Sequence, residues 1–280
     1  MKRIFAFILI LFISVSFLMA ENKGRLFFHH LDKRDGLSNV SVSSIVQDYR
    51  GFIWFATLNG LNRYDGRSIK LYSHDPYDRN SLVHNKIQTM NKSGKYLLIG
   101  TYGGLSLFDP DSGVFKNFTK TPGDINSLTD NVVVYVIPDD KGNLWVGTLN
   151  GLNYLDPRTG KNRRFFNVKD DPDSLANNVI RSLHIDSSGD LWVGTYNGLD
   201  RYSREEDKFF HYGMEGREGY SLPSKYVMTI AKGDKDNLWL GTWDGGVSSF
   251  NIATGKIKTY SLEDNRVYTL HIAPSGQVWA

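Results

Sequence analysis

The stretch GNLWVGTLNGL, residues 142–152, recurs with two substitutions at 189–199 as GDLWVGTYNGL. Further copies, GFIWFATLNGL, KYLLIGTYGGL and DNLWLGTWDGG, begin at residues 51, 95 and 236, and a sixth opens with GQVW at 276–279. The threonines of the five longer copies fall at intervals of 44 or 47 residues, at Thr57, Thr101, Thr148, Thr195 and Thr242. Such a period indicates a chain built from one supersecondary unit per repeat.

Each repeat holds four short apolar or alternating runs separated by Gly, Asn, Asp and Pro residues that favour turns. In the third repeat these runs are VVVYVI, LWVGT, GLNYL and NRRFF. Four short strands in 47 residues leave no room for a helix, which is the pattern of a β-propeller blade. The predicted fold class is therefore all-β, a β-propeller with four-stranded antiparallel blades.

The most conspicuous residues of the repeat have structural explanations. Trp145 and Gly147 lie two positions apart, on the same face of a strand, so a large side chain beside an empty position would let adjoining sheets interlock. Asn-Gly at 59–60, 150–151 and 197–198 and Gly-Gly at 103–104 stand between two strands, where a tight hairpin turn needs a positive φ. We therefore interpret the repeated motif as architecture.

The repeats predict five full blades and part of a sixth, near residues 37–79, 80–125, 126–172, 173–219, 220–262 and 263–280. RLFFHH at 25–30 is similar to KFFHYG at 208–213, a fourth-strand motif, and we expect it to be the clasp strand that completes the last blade. An intact ring with this period is expected to have about seven blades. Residues 21–280 are accordingly expected to be the N-terminal part of an incomplete propeller.

Residues 1–20 are predicted to be a signal peptide. Lys2 and Arg3 precede an uncharged apolar stretch that ends at Ala20, after which cleavage is expected. Leu18 is bulky for a position near a cleavage site, so an uncleaved N-terminal anchor is the alternative. Either outcome predicts a periplasmic, extracytoplasmic location.

Composition excludes several classes of function. The chain has no cysteine, hence no disulfide and no thiolate metal site, and no cofactor is expected. Its formal net charge is +3 without a basic block, so contact with nucleic acid is not expected.

DGLSNVSVSSIVQDYRGFIWFATLNGLNRYDG at 35–66, followed by LWVGT-x-NGL motifs, resembles the two-component regulator propeller repeat. The chain departs from the pattern at Leu98, where Trp is usual, and at Gly246, which shifts the next strand by one residue. The resemblance implies the periplasmic sensor region of a Bacteroidetes-type hybrid sensor histidine kinase that responds to carbohydrate and regulates polysaccharide utilisation. It also implies a homodimeric receptor anchored in the inner membrane, with the remaining blades and downstream domains of the same chain as partners.

No phosphoacceptor helix or nucleotide-binding glycine-rich segment is recognisable, so no enzymatic activity is expected of these 280 residues. Two alternatives remain open. One is a secreted propeller hydrolase or lyase acting on polysaccharide, and the other is a protein-binding propeller scaffold.

The candidate ligand site follows from the one variable position within the motif, the residue after each repeat threonine. In a propeller blade this residue lies on the rim where the turn between the second and third strands projects. Three such residues are aromatic, Tyr102, Tyr196 and Trp243, and the polar residues beside this position are Asn59, Asn150, Asn197 and Asp244. The aromatic rings could stack on the sugars of an oligosaccharide; the alternative is that they pack against neighbouring loops. No catalytic residue and no metal site are predicted.

Overall fold

The computed structural model describes residues 30–213, 216, 218–234 and 236–280. The predicted signal peptide and the predicted clasp strand lie outside these residues, except His30, which is not in a strand. The chain divides into two compact units, and the second, Asp32–Ala280, carries every described strand. No helix in the described part of the chain is long and apolar enough to cross a membrane.

The described strands form six sheets, numbered here in chain order. Sheet 1 consists of β1 (Val42–Gln47), β2 (Ile53–Thr57), β3 (Gly60–Tyr64) and β4 (Ile69–Tyr72). Sheet 2 consists of β5 (Ile87–Ser93), β6 (Tyr96–Thr101), β7 (Leu105–Asp109) and β8 (Val114–Phe118). Sheet 3 consists of β9 (Val133–Pro138), β10 (Leu144–Thr148), β11 (Gly151–Leu155) and β12 (Asn162–Phe165). Sheet 4 consists of β13 (Ile180–Ile185), β14 (Leu191–Thr195), β15 (Gly198–Ser203) and β16 (Lys208–Tyr212). Sheet 5 consists of β17 (Val227–Lys232), β18 (Asn237–Thr242), β19 (Val247–Asn251) and β20 (Ile257–Tyr260), and sheet 6 of β21 (His271–Ile272) and β22 (Val278–Trp279).

Strand order within each sheet follows the chain, and consecutive strands pair antiparallel. The four-stranded antiparallel sheets predicted from the repeat are thus confirmed. The first strands of successive sheets are neighbours in space, β1 beside β5, β5 beside β9, β9 beside β13 and β13 beside β17. These strands form the innermost layer of the propeller and surround its centre.

Successive sheets interlock through the tryptophan and glycine of the repeat. Trp145 is buried between sheets 3 and 4, with its ring centroid 5.4 Å from that of Tyr202. Two residues along the same strand, a β-carbon on Gly147 would lie only 2.6 Å from Cγ2 of Ile180, on the first strand of sheet 4. The predicted pairing of a large residue with an empty position is therefore confirmed, because the glycine lets the next sheet approach closely.

Replacement of Gly147 by alanine is expected to lower the free energy of unfolding by about 1–3 kcal/mol, because the added methyl group overpacks the contact with Ile180. Chemical denaturation measures this change. The double variant Gly147→Ala/Ile180→Ala should be less destabilised than the sum of the two single changes, since the clash is then relieved. Additive effects would contradict the proposed contact.

The turns between second and third strands also follow the prediction. Gly60, Gly151 and Gly198 have φ values of 101°, 113° and 99°, as the Asn-Gly turns require. In sheet 5 the turn is longer by one residue: Thr242 Oγ1 donates to the carbonyl of Gly246, four residues on, whereas Thr195 Oγ1 donates to Gly198, three residues on. The expected one-residue shift at Gly246 is therefore present.

Candidate functional site

Two sets of loops meet at one rim of the propeller, here called the turn rim. They are the turns between second and third strands and the loops that lead into the first strands. In sheet 5 the amide of Trp243 donates to the carbonyl of Tyr226 at 3.1 Å, and in sheet 4 the amide of Tyr196 donates to Val179 at 3.3 Å. Neighbouring sheets are joined as well, since the amide of Gly198 donates to the carbonyl of Lys225 at 2.7 Å. The residues after the repeat threonines are therefore held by backbone hydrogen bonds.

The residues after the threonines remain accessible on the turn rim. Tyr196 is half-buried, and the other four have similar exposed fractions, 41% for Leu58, 42% for Tyr102, 39% for Leu149 and 40% for Trp243. The aromatic members also pack on neighbouring loops: ring centroids lie 5.3 Å apart for Tyr196 and Tyr226 and 5.2 Å apart for Trp243 and Tyr268. Each ring thus makes a loop contact and keeps a part that a ligand can reach.

Tyr196 and Trp243 come together in a pocket of about 320 Å³, completed by Tyr226 and Met228. We call these four residues the aromatic pocket. Tyr102 lies outside it, on sheet 2, with its ring centroid 6.4 Å from that of His84. The structure therefore unites two of the three predicted aromatic residues and leaves the third apart.

The predicted polar residues differ in their surroundings. Asn197 follows Tyr196, is half-buried and donates from Nδ2 to the carbonyl of Ala176 at 3.4 Å. Asp244 follows Trp243 and is exposed. Asn59 and Asn150 are exposed on sheets 1 and 3, outside the aromatic pocket. Only Asn197 and Asp244 directly follow residues of the pocket.

A second feature of the site is a bulge near the start of every innermost strand. In sheet 4, Ile180 pairs with Thr195 and Ser182 pairs with Gly194, so Arg181 is left out of the ladder. The same interruption occurs in the other four-stranded sheets. A bulge re-aims the side chain of the extra residue. The five extra residues all line a central cavity of about 320 Å³, and they are Ser43, Gln88, Val134, Arg181 and Met228.

These bulge residues were not predicted from the sequence, although the sequence holds a signal for them. The residue before each bulge residue is always β-branched, being Val42, Ile87, Val133, Ile180 or Val227. The bulge residue itself is different in every repeat. The bulge position thus has the same place in each four-stranded sheet but holds a different residue in each. Such a position is suited to determining ligand specificity.

Another cavity, of about 570 Å³, opens between sheets 2 and 3 on the rim opposite the turn rim. Leu98, Leu107 and Leu144 line its apolar floor. Leu98 occupies the position that Trp145 holds in the next sheet, so the smaller side chain leaves this gap. Among the described residues no group of three or more His, Asp or Glu side chains is arranged to hold a metal ion.

The interlocked four-stranded antiparallel sheets are the blades of a β-propeller. A family model for two-component regulator propellers matches residues 36–59, 127–150, 174–197 and 221–244. The chain carries two-component regulator propeller repeats, as its resemblance to that family predicts.

Comparison with individual proteins agrees with this assignment. Histidine kinase P4 of Formosa agariphila is 35% identical over 82 residues, which are 29% of this chain and 6% of that protein. The chain therefore spans a small part of that relative's length.

Solved structures share the fold. The extracellular domain of a proposed one component system from B. thetaiotaomicron is 27% identical with a TM-score of 0.68, over 87% of this chain and 31% of that one. The extracellular domain of a proposed hybrid two component system from the same organism is 23% identical with a TM-score of 0.55, over 90% and 40% of the two chains. PorZ of the Porphyromonas gingivalis type-IX secretion system is 15% identical with a TM-score of 0.62, over 82% and 36%. The last two likenesses concern the fold alone.

Proposed function

We propose that this chain is the periplasmic ligand-sensing propeller of a two-component receptor and that its ligand is a carbohydrate. The repeats it carries are named for two-component regulators, and one relative is a histidine kinase. A structural neighbour that is 27% identical is an extracellular domain. A sensor needs an accessible site on a rigid frame, and the turn rim offers one.

The aromatic pocket is the observation that carries the proposal. Ligand pockets are lined mainly by apolar and aromatic side chains with a few polar groups that fix orientation. Tyr196 and Trp243 present aromatic surface suited to the C–H face of a sugar ring. Asn197 and Asp244, which follow them in the chain, offer polar groups for its hydroxyls. We propose these four residues as the ligand contacts and assign no contact to Tyr102, Asn59 or Asn150.

In this proposal the chain has no catalytic role of its own. Binding at the turn rim would be passed to downstream domains of the same parent chain, in a homodimeric receptor anchored in the inner membrane. The output would be regulation of polysaccharide utilisation. The repeats and the histidine kinase relative support this view.

Tyr196→Ala and Trp243→Ala are each expected to weaken oligosaccharide binding by about tenfold or more, because a buried aromatic contact contributes more than 1.4 kcal/mol. The full chain would be screened against an array of neutral and acidic oligosaccharides, and the affinity of each oligosaccharide that binds would be measured by calorimetry. Leu149→Ala is the matched control, at the same repeat position outside the pocket, and should leave affinity unchanged. Absence of any oligosaccharide ligand, or unchanged affinity in both pocket variants, would overturn the proposal.

A further inference from the structure

We propose that Arg181 makes the central cavity a binding site for the carboxylate of an acidic sugar whose ring occupies the aromatic pocket. The inference rests on the proposed function and names the class of carbohydrate. Neither the family match nor the predicted rim residues point to it.

Arg181 stands at the junction of the two spaces. It is the bulge residue of β13 and lines the central cavity. Its guanidinium carbon lies 5.9 Å from the ring centroid of Tyr196, a member of the aromatic pocket. Met228 lines both the cavity and the pocket, so the two spaces adjoin at this side chain. A ring held against Tyr196 and Trp243 could therefore direct a substituent at Arg181.

The charge of Arg181 is uncompensated. Among the described residues no carboxylate forms an ion pair with it, and its buried Nε has no hydrogen-bond partner, which is also true of Nε in Arg201 and Arg204. Other arginines of the same sheet are paired: Arg201 lies 3.7 Å from Asp190, and Arg204 lies 3.2 Å from Asp139. A partly buried guanidinium without a partner is costly unless something else supplies the anion.

The surroundings leave the counter-charge to a ligand. No Asp or Glu is among the described residues that line the cavity or the pocket; Asp244, which follows Trp243, is exposed on the turn rim and does not line either space. The cavity instead offers neutral polar groups such as the Gln88 amide, which suit sugar hydroxyls. At the rim, Lys225 Nζ lies 5.3 Å from the ring centroid of Tyr226 and adds positive potential.

A carboxylate fits this site better than a more highly charged anion. The planar guanidinium matches the two oxygens of a carboxylate and can bind them in a bidentate manner. Arg181 is the one cationic residue among the described residues lining the cavity, and one guanidinium balances a single negative charge. The adjoining aromatic surface favours a substituent carried on a ring. A uronic acid combines these properties.

Trigalacturonate is the probe, and α-1,4-linked galactotriose is its neutral counterpart. Titration calorimetry with the full chain is expected to show trigalacturonate binding more tightly than galactotriose. Arg181→Gln should weaken trigalacturonate binding by about tenfold or more and leave galactotriose unchanged. Arg181→Lys keeps the charge but lacks the planar guanidinium, so its affinity for trigalacturonate should lie between those of the wild type and Arg181→Gln. Raising NaCl from about 0.05 M to about 0.5 M should weaken binding in the wild type more than in Arg181→Gln.

Val134→Ala is the matched control, since Val134 is a bulge residue of the same cavity without charge, and it should bind trigalacturonate as the wild type does. Thermal melting of each variant checks that it is folded. No binding of trigalacturonate, or equal affinity for both trisaccharides, would overturn the role of Arg181. Loss of neutral-oligosaccharide binding in Tyr196→Ala together with a silent Arg181→Gln would overturn the role of Arg181 while leaving the proposed function intact.

Discussion

Trp192→Ala is expected to lower the free energy of unfolding by about 3–5 kcal/mol, the largest effect of any single change considered for this chain. Trp192 is fully buried between sheets 4 and 5, where its ring centroid lies 5.3 Å from that of Tyr212 and 5.2 Å from that of Phe250. Its Nε1 also donates to Asp186 Oδ2 at 2.8 Å. Alanine removes the apolar contact and the hydrogen bond together, and it leaves a cavity between two sheets.

Denaturant unfolding followed by far-ultraviolet circular dichroism measures the loss. Trp243→Ala is the control, because Trp243 is accessible on the turn rim and its removal should cost less than about 1 kcal/mol. The free energy of unfolding of Trp192→Phe should lie between those of the wild type and Trp192→Ala, because phenylalanine keeps an aromatic ring but lacks the Nε1 hydrogen-bond donor. Equal destabilisation by Trp192→Ala and Trp243→Ala would contradict the interlocking role assigned to the repeat tryptophan.

The second large effect concerns an ion pair within sheet 4. His211 Nδ1 lies 2.8 Å from Asp200 Oδ1, and His211 Nε2 lies 2.9 Å from the carbonyl oxygen of Pro172. When Asp200 is ionised, its carboxylate and the Pro172 carbonyl can only accept hydrogen bonds, so His211 then donates from both nitrogens as the charged imidazolium. The Asp200 side chain is fully buried, with an exposed fraction of 0%, whereas that of His211 is 35%.

His211→Leu is therefore expected to lower the free energy of unfolding by about 2–3 kcal/mol at neutral pH. Removing one partner leaves a buried carboxylate without a counter-charge, a loss of about 3–5 kcal/mol for a fully buried pair and less here because His211 is partly exposed. Denaturant unfolding at a series of pH values measures both the loss and its pH dependence.

The sign of the pH dependence follows from the pKa shifts. The hydrogen bond to Asp200 raises the pKa of His211 above its ordinary 6.5. Burial raises the pKa of Asp200. Hydrogen bonds from His211 and from the Ala176 amide lower it, but the effect of burial is larger. A raised pKa in the folded state favours protonated His211, so, as long as Asp200 is ionised, this stabilisation is complete below about pH 6.5 and is lost as pH rises through the folded pKa of His211.

Sheet 1 supplies a matched control for the ion pair. Asn62 and Leu71 occupy the paired positions that Asp200 and His211 occupy in sheet 4. Asn62 Oδ1 accepts from the amide of Ser38 just as Asp200 Oδ2 accepts from Ala176. The double variant Asp200→Asn/His211→Leu should therefore recover most of the free energy of unfolding that His211→Leu loses. Its stability should also lack the pH dependence that the ion pair gives the wild type. A His211→Leu variant whose stability changes with pH as the wild type does would refute the ion-pair account.

The repeat frame could be predicted from the sequence because its requirements are local. Trp145 and Gly147 share a face through the two-residue period of a strand, and Gly60 or Gly198 must adopt positive φ wherever a two-residue turn joins two strands. These constraints recur every 44 or 47 residues, so the sequence alone determined the class of fold and the architectural role of its motif.

The composition of the candidate site was decided by tertiary structure. Tyr196 and Trp243 meet in one pocket because sheets 4 and 5 are adjacent, whereas Tyr102, at an equivalent repeat position, lies apart on sheet 2. Arg181 reaches the central cavity because a bulge takes it out of the β-ladder. Strand periodicity cannot reveal such a bulge, since the extra residue breaks the alternation on which the prediction depends. The sequence therefore determined the repeating frame, and only the packing of sheets around a common centre decided which variable side chains share one site.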